Sequence, residues 1–211
     1  MYKFLVTIIL FSFCTVGCAR SPVRRIIHLD TSNTINIDGT ISPTMLPALV
    51  EKIIELNSSN STEPVFLRIN SYGGSLEVSI LIEKMLKNIT RPVHTISILA
   101  ASAAFNLAQQ FGKRYILDRT IMLTHNAYYT FFPINKDSVA EAENSVQSVE
   151  EIYKEVATRL SMTLDEYYKF MAVETAIRGE DNIKVNTADE IIEVSCSKEL
   201  ILKGGCSYKP I

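Results

Sequence analysis

Residues 65–125 constrain the fold most, because twice within them an apolar strand runs into a helix through small residues. The first run, 65–69, leads through Ser71-Tyr72-Gly73-Gly74 into a helix expected over 75–87. The second, 93–99, leads straight into Ser102 at the mouth of a helix, flanked by Ala101, Ala103 and Ala104 and stopped by Gly112. Two short apolar strands, 114–117 and 120–124, then carry His125 to a strand end. Strands alternating with helices of this length call for a mostly parallel sheet covered by helices, an α/β fold.

The flanking sequence extends that pattern. Residues 35–41 alternate apolar and polar, as a half-buried strand does. Ser42 can cap a helix with Pro43 in its first turn, and Leu46, Leu49, Val50, Ile53 and Ile54 form its apolar face. A long helix is expected over 136–160. Val139, Ala142, Val146, Val149, Tyr153, Val156 and Leu160 recur at steps of three and four, a seam able to meet the domain's own core or another subunit. A further helix is expected from Thr163 to about Ala172. A last one is expected from Thr187, where Thr187-Ala188-Asp189-Glu190 fits a capping box. No internal repeat or second-domain linker interrupts the 211 residues, enough for one domain with a real core.

The N-terminus reads as a targeting segment. Lys3 precedes an apolar run over 4–16 and the small residues Gly17-Cys18-Ala19. That run is too short to span a bilayer, which needs about 20 residues, and suits a signal peptide over 1–18. Thr15-Val16-Gly17-Cys18 looks like a bacterial lipobox with Thr15 where Leu is usual. Lipidation at Cys18 and plain cleavage near Ala19 are both open, giving a product anchored to the cell envelope or free in the periplasm. Residues 19–34 then form a tether or edge strand. With Cys14 and Cys18 in the leader, Cys196 and Cys206 remain, ten positions apart in a 196–211 tail. An oxidising compartment favours a disulfide between them over two buried thiols. A net charge of −2 with mixed signs gives no basic patch for nucleic acid, and no Cys/His cluster has metal-ligand spacing, so neither metal nor cofactor is expected.

Ser102 at a helix N-terminus lies beside free N–H groups and partial positive charge, as an acyl-transfer nucleophile needs. A serine among alanines at a helix start is, by itself, more often a cap. Gly73 and Gly74 lie at the strand edge where α/β sheets bind ligands. Of three histidines, His28 is N-terminal and His94 begins the strand before Ser102, which leaves His125 as the candidate general base. Lys113 follows too closely at the far end of the Ser102 helix to serve a Ser–Lys mechanism.

The segments INSYGGS, AASAAF and GKRYILDRTIMLTH resemble the proteolytic subunit of Clp proteases and exported members of the ClpP/crotonase superfamily, over about 35–194. The resemblance implies a repeated ββα sheet with covering helices and a protruding long helix, here 136–160, that joins subunits. A peptidase domain would then span 35–195. The resemblance also implies Ser102 as nucleophile, His125 as base, and an oxyanion hole from the Gly73-Gly74 turn and Ala103. Departures are Tyr72 for Pro, Ala103-Ala104 for Met-Gly, and Asn126-Ala127 for Gln-Pro. The acid should precede the last capped helix, where Asp181 is nearest with its register off by about two. Glu180 is a rival, and a Ser–His dyad is a third possibility.

The expected function is an exported, homo-oligomeric serine peptidase acting on polypeptides with no ATP-driven unfoldase. A ClpP-like scaffold without activity and a crotonase-like acyl-CoA enzyme are the alternatives, and export away from the CoA pool argues against the second.

Overall fold

The computed structural model describes residues 23–126, 136–174 and 176–206, with only the helical backbone over 136–145. The leader with Cys14 and Cys18 lies outside the described residues, as do residues 127–135 and the side chains of Val139 and Ala142.

Five strands form the main sheet in the order β2 (Thr34–Ile41), β3 (Val65–Gly74), β4 (Val93–Ala101), β5 (Arg114–Leu123) and β6 (Ile177–Arg178). All neighbours are parallel except β5 and β6. A short β7 (Glu190–Ile191) also pairs with β5. The connections are helical: α1 (Leu46–Asn57), α2 (Leu76–Leu86), α3 (Ala103–Gln109), α4 (Lys136–Arg159), α5 (Leu164–Met171) and α6 (Asp181–Lys184). Helical connections between parallel strands put helices over the sheet. Val65, Leu67 and Ile69 of β3, with Ile116 and Met122 of β5, pack against the helices in one apolar core. The alternate residues Phe66, Ile96, Ile98, Tyr115 and Leu117 point to the other face. The mixed α/β architecture is that of the ClpP/crotonase class.

A third layer covers that second face. β1 (Ile26–Leu29) pairs in parallel with β8 (Glu193–Cys196), and α7 (Lys198–Leu202) follows. Ile27, Leu29, Ile192 and Leu200 bury themselves there with Cys206. The segment expected as a tether or edge strand is thus part of the fold. Cys196 and Cys206 are joined, with Cα atoms 6.5 Å apart. Closing a loop of that length contributes about 2.7 kcal/mol in the chain-entropy model.

Several expected boundaries move for physical reasons. β3 runs on through both glycines because β2 continues beside it, Thr40 facing Gly73 and Ile41 facing Gly74. A Cβ on Gly74 would collide with the Ile41 carbonyl. The two short strands expected over 114–124 are one strand, with an excursion against β4 between the Ser97–Ile116 and Leu99–Ile121 pairs. Ser42 makes no side-chain cap, and a 3-10 turn, Pro43–Met45, precedes α1. In α1 the wide apolar face divides. Leu49, Ile53 and Leu56 are buried, while Val50 and Ile54 are exposed. The α4 seam divides too: Val149, Tyr153, Val156 and Leu160 enter the chain's own core, and Val146 is 56% exposed.

No helix begins at Thr187. Its hydroxyl turns onto Asn182, and Asp189 is drawn to buried Arg114, which leaves Glu190 in a strand. The reciprocal capping box is found instead at Thr163 and Glu166, opening α5. Arg114 donates its backbone N–H to Asp189 Oδ2 (2.8 Å) and Nη2 to Oδ1 (2.5 Å), and also bonds Gln109 Oε1 and Asn186 O. Burial raises the Asp189 pKa, but the Arg114 hydrogen bonds and charge outweigh it and the net shift is downward. A depressed carboxylate contributes its stability above the ordinary value near pH 4 and loses it as pH falls through the folded value. Asp189→Asn should therefore lower the melting temperature clearly at pH 7, with the gap from wild type narrowing toward about pH 3. Thermal unfolding at the two pH values checks this; a gap independent of pH would refute it.

Candidate active site

The sheet brings Ser102 and His125 to one edge. Ser102 joins β4 to α3 with φ 57° and ψ −126°, a region that a non-glycine residue rarely occupies. Such a strand-to-helix elbow projects the side chain out of the sheet, at a cost of about 1–3 kcal/mol in strain. The Ser102 hydroxyl makes no cap bond with α3, so the residue is not the ordinary cap that its neighbours would suggest. Its backbone is fastened instead: Ser102 N–H donates to Leu123 O at 2.9 Å, and Ser102 O accepts from Phe105 N at 3.0 Å. Leu123 also faces Ala101 in the ladder. His125, two residues beyond Leu123, therefore leaves the same edge of the adjacent strand.

The His125 imidazole has Nδ1 2.7 Å from Asn126 O. A carbonyl can only accept, so Nδ1 carries the proton and the basic lone pair of the neutral ring is on Nε2. The other two histidines lie elsewhere. His28 Nδ1 is 2.8 Å from Ser195 Oγ, on the exposed side of the β1–β8 pair. His94 Nδ1 accepts from Lys113 N–H at the opposite end of β4. Burial holds the His94 pKa below its ordinary value. Lys113 O accepts from Thr95 N, seven residues down the strand from Ser102, roughly 20 Å at the rise of a strand. The same separation removes a Ser–Lys pairing.

Gly73 is buried against the elbow. A Cβ there would lie 2.6 Å from Ala101 O, 2.7 Å from Ser102 Cβ and 3.1 Å from Ala103 N. Its φ is +98°, so glycine is required on two grounds. Its N–H already donates to Ser71 Oγ at 3.0 Å, a partner that the sequence did not suggest. Ala103 opens α3, and the N–H of a first helical residue has no acceptor one turn back. Gly74 follows on the exposed side, just before the Ser75 cap of α2.

Asp181 is placed differently from Ser102 and His125. It starts α6, with its carboxylate 63% exposed and 2.7 Å from Lys184 Nζ. Because β6 runs antiparallel to β5, the chain after Ile177 moves away from the His125 end, and Gly179 N–H meets Thr120 O. Glu180, the rival, sits in the same turn. Before β6 the chain turns out of α5 at Glu174, with φ 46° and its N–H on Met171 O. Two cavities of about 410 Å³ lie elsewhere, one between β2, α1 and α7 and the other beside His28, His94 and Tyr115. Neither is lined by Ser102 or His125.

A strained serine at a strand-to-helix turn, with a histidine following the end of the neighbouring strand, is the layout that serine hydrolases use. The family profile described as Clp protease matches residues 22–195, and the chain belongs to the Clp protease family. It is similar to the ATP-dependent Clp protease proteolytic subunit of Streptococcus mutans serotype c, 23% identical over 170 residues, covering 75% of this chain and 84% of the relative. The subunit of the same description from Ligilactobacillus salivarius is 23% identical over 168 residues, covering 71% and 85%. The proteolytic subunit 2 of Prochlorococcus marinus strain MIT 9313 is 38% identical over 101 residues, covering 46% and 50%. At the level of the family, this is a serine-peptidase-like protein.

Proposed function

We propose that the protein is an exported serine peptidase that hydrolyses peptide bonds in short or unfolded polypeptides. The observation that carries this reading is the strained, uncapped Ser102 held by the strand that delivers His125. In the mechanism, Nε2 of His125 takes the Ser102 proton as Oγ attacks the carbonyl, and returns it to the leaving amine. The N–H groups of Ala103 and Gly74 face the developing oxyanion, while Gly73 serves by having no side chain. The unit proposed is a Ser102–His125 dyad without a third member, Asp181 being paired with Lys184 at the surface. A fluorophosphonate that labels wild type but not Ser102→Ala, with cleavage of an unfolded polypeptide in the absence of ATP, is the expected result. Cleavage that requires ATP and an unfoldase would contradict it.

Export rests on the 1–18 leader and on the Cys196–Cys206 disulfide, a bond that persists in oxidising compartments. The mature protein is then periplasmic, or held to the envelope by a lipid on Cys18. Relatives in this family form oligomers, and the exposed end of the α4 seam is the surface proposed for that role here. Val146→Asp should shift light-scattering mass toward the monomer while leaving the fold intact. Val149 is buried in the chain's own core and would test stability instead. A wild type that is monomeric at high micromolar concentration would overturn the assembly.

A further inference from the structure

Behind the candidate site is a buried chain of hydrogen bonds that neither the fold nor the proposed chemistry requires. Tyr167 of α5 is fully buried, and its OH lies 3.0 Å from Asn106 Oδ1 and 3.2 Å from Thr124 Oγ1. The amide oxygen can only accept, so the phenol donates to Asn106 and accepts from the Thr124 hydroxyl. The direction of every bond is thereby set. Asn106 is one turn into the helix that Ser102 opens, and its own N–H reaches Ser102 O at 3.3 Å. Thr124 immediately precedes His125. Alternation along the strand turns the Thr124 side chain inward, where it is 3% exposed, as His125 emerges.

We propose that Tyr167 is a positioning residue, setting the separation between the Ser102 helix and the His125 strand end through its bonds to Asn106 and Thr124. This rests on the Ser102–His125 reading above. Three apolar side chains of the same shapes would fill this core without leaving any polar group unpaired, and such replacements are close to neutral for stability. What a fully satisfied buried network adds is a fixed geometry. Here it joins the two elements whose relative placement the proton transfer depends on. A displacement of about 1 Å between reacting groups can cost about 100-fold in rate. The Tyr167 ring is itself held edge-on by Tyr153, with centroids 5.6 Å apart, and stacked by Phe170 at 6.4 Å. Burial pushes the Tyr167 pKa far up, against a smaller downward effect of the Thr124 bond. The phenol therefore stays protonated throughout any assay range and acts as a fixed dipole.

The experiment measures the first-order rate constant for fluorophosphonate labelling of the full mature chain across pH, together with the labelled fraction at completion. Tyr167→Phe removes one oxygen and should label to the same final fraction, with a rate constant lowered roughly 10- to 100-fold and a displaced pH midpoint. Thr124→Val should do the same, Thr124→Ser should restore the wild-type rate and midpoint, and the Tyr167→Phe/Thr124→Val pair should be no slower than either alone. A purely structural role would lower melting temperature or final fraction while sparing the rate constant and midpoint, and that result overturns the proposal. The Thr124 pair decides the question if Tyr167→Phe does not fold. Wild-type labelling that persists in Ser102→Ala overturns the peptidase reading and this proposal together. Ser102-dependent labelling with an unaltered Tyr167→Phe profile overturns this proposal alone.

Discussion

Ser102→Ala and His125→Ala are each expected to lower kcat/KM on a short peptide by about 10⁴-fold or more, and the double variant hardly further. The magnitude corresponds to about 5.5 kcal/mol of lost transition-state stabilisation. Non-additivity follows from the mechanism. A serine hydroxyl without a base is nearly as unreactive as no hydroxyl, and a base without a nucleophile has no proton to take. What persists in each variant is binding and the proposed oxyanion donors, Ala103 and Gly74, which neither substitution touches. Hydrolysis of a fluorogenic peptide by all three variants measures it. Full activity in Ser102→Ala, or effects of the two substitutions that multiply, would end the assignment of one catalytic unit.

The second large effect falls on a residue with no side chain at all. Gly73→Ala would place a Cβ 2.6 Å from a backbone oxygen and 2.7 Å from Ser102 Cβ, at a φ of +98°. The atoms in its way belong to the elbow's backbone and to the Cβ of Ser102, so no side-chain rotation relieves the clash. Strain and overpacking together should cost about 3 kcal/mol. Whatever relief the chain finds must move Ser102, so activity should fall by at least about 100-fold even in the fraction that folds. Gly39→Ala is the matched control. It has φ +77° with nothing within 4 Å of an added Cβ, so it should cost about 1 kcal/mol and leave turnover unchanged. Denaturant unfolding and peptidase rates on both variants separate local crowding from the backbone preference alone. Equal effects at the two positions would refute the argument.

The alternation of strand and helix over 65–125 was legible because each element carries its own period and its own stop, from Ser75 at the head of α2 to Gly112 after α3. Ser102 and His125 could be placed at strand ends because small residues and the ends of apolar runs are local signals. The features that were missed depend on partners far along the chain. Asp189 looked like the third residue of a capping box until Arg114, 75 positions earlier, took its carboxylate. Gly73 looked like an oxyanion donor, but its N–H is held by Ser71, whose hydroxyl could as easily have faced solvent. Asp181 was chosen by distance from a helix that does not form, and the antiparallel turn into β6 that sends it the other way has no local signature. Tyr167 reads in sequence as one more aromatic on a helix face, and only the packing of α5 against α3 and β5 gives its hydroxyl two partners.

The pairing of the first strand with the last has a consequence for how the molecule is made. Ile26 lies beside Glu193, and His28 meets Ser195 across 167 positions of sequence. Neither β1 nor the disulfide can close until nearly the whole chain is available. Contacts of such long range slow folding, since the loop must close before anything is gained. A nascent chain emerging N-terminus first would carry its opening segment unpaired until the C-terminus arrived. If the chain is exported unfolded, as proposed, that delay is useful: the lock on the structure lies in the part of the sequence that is delivered last.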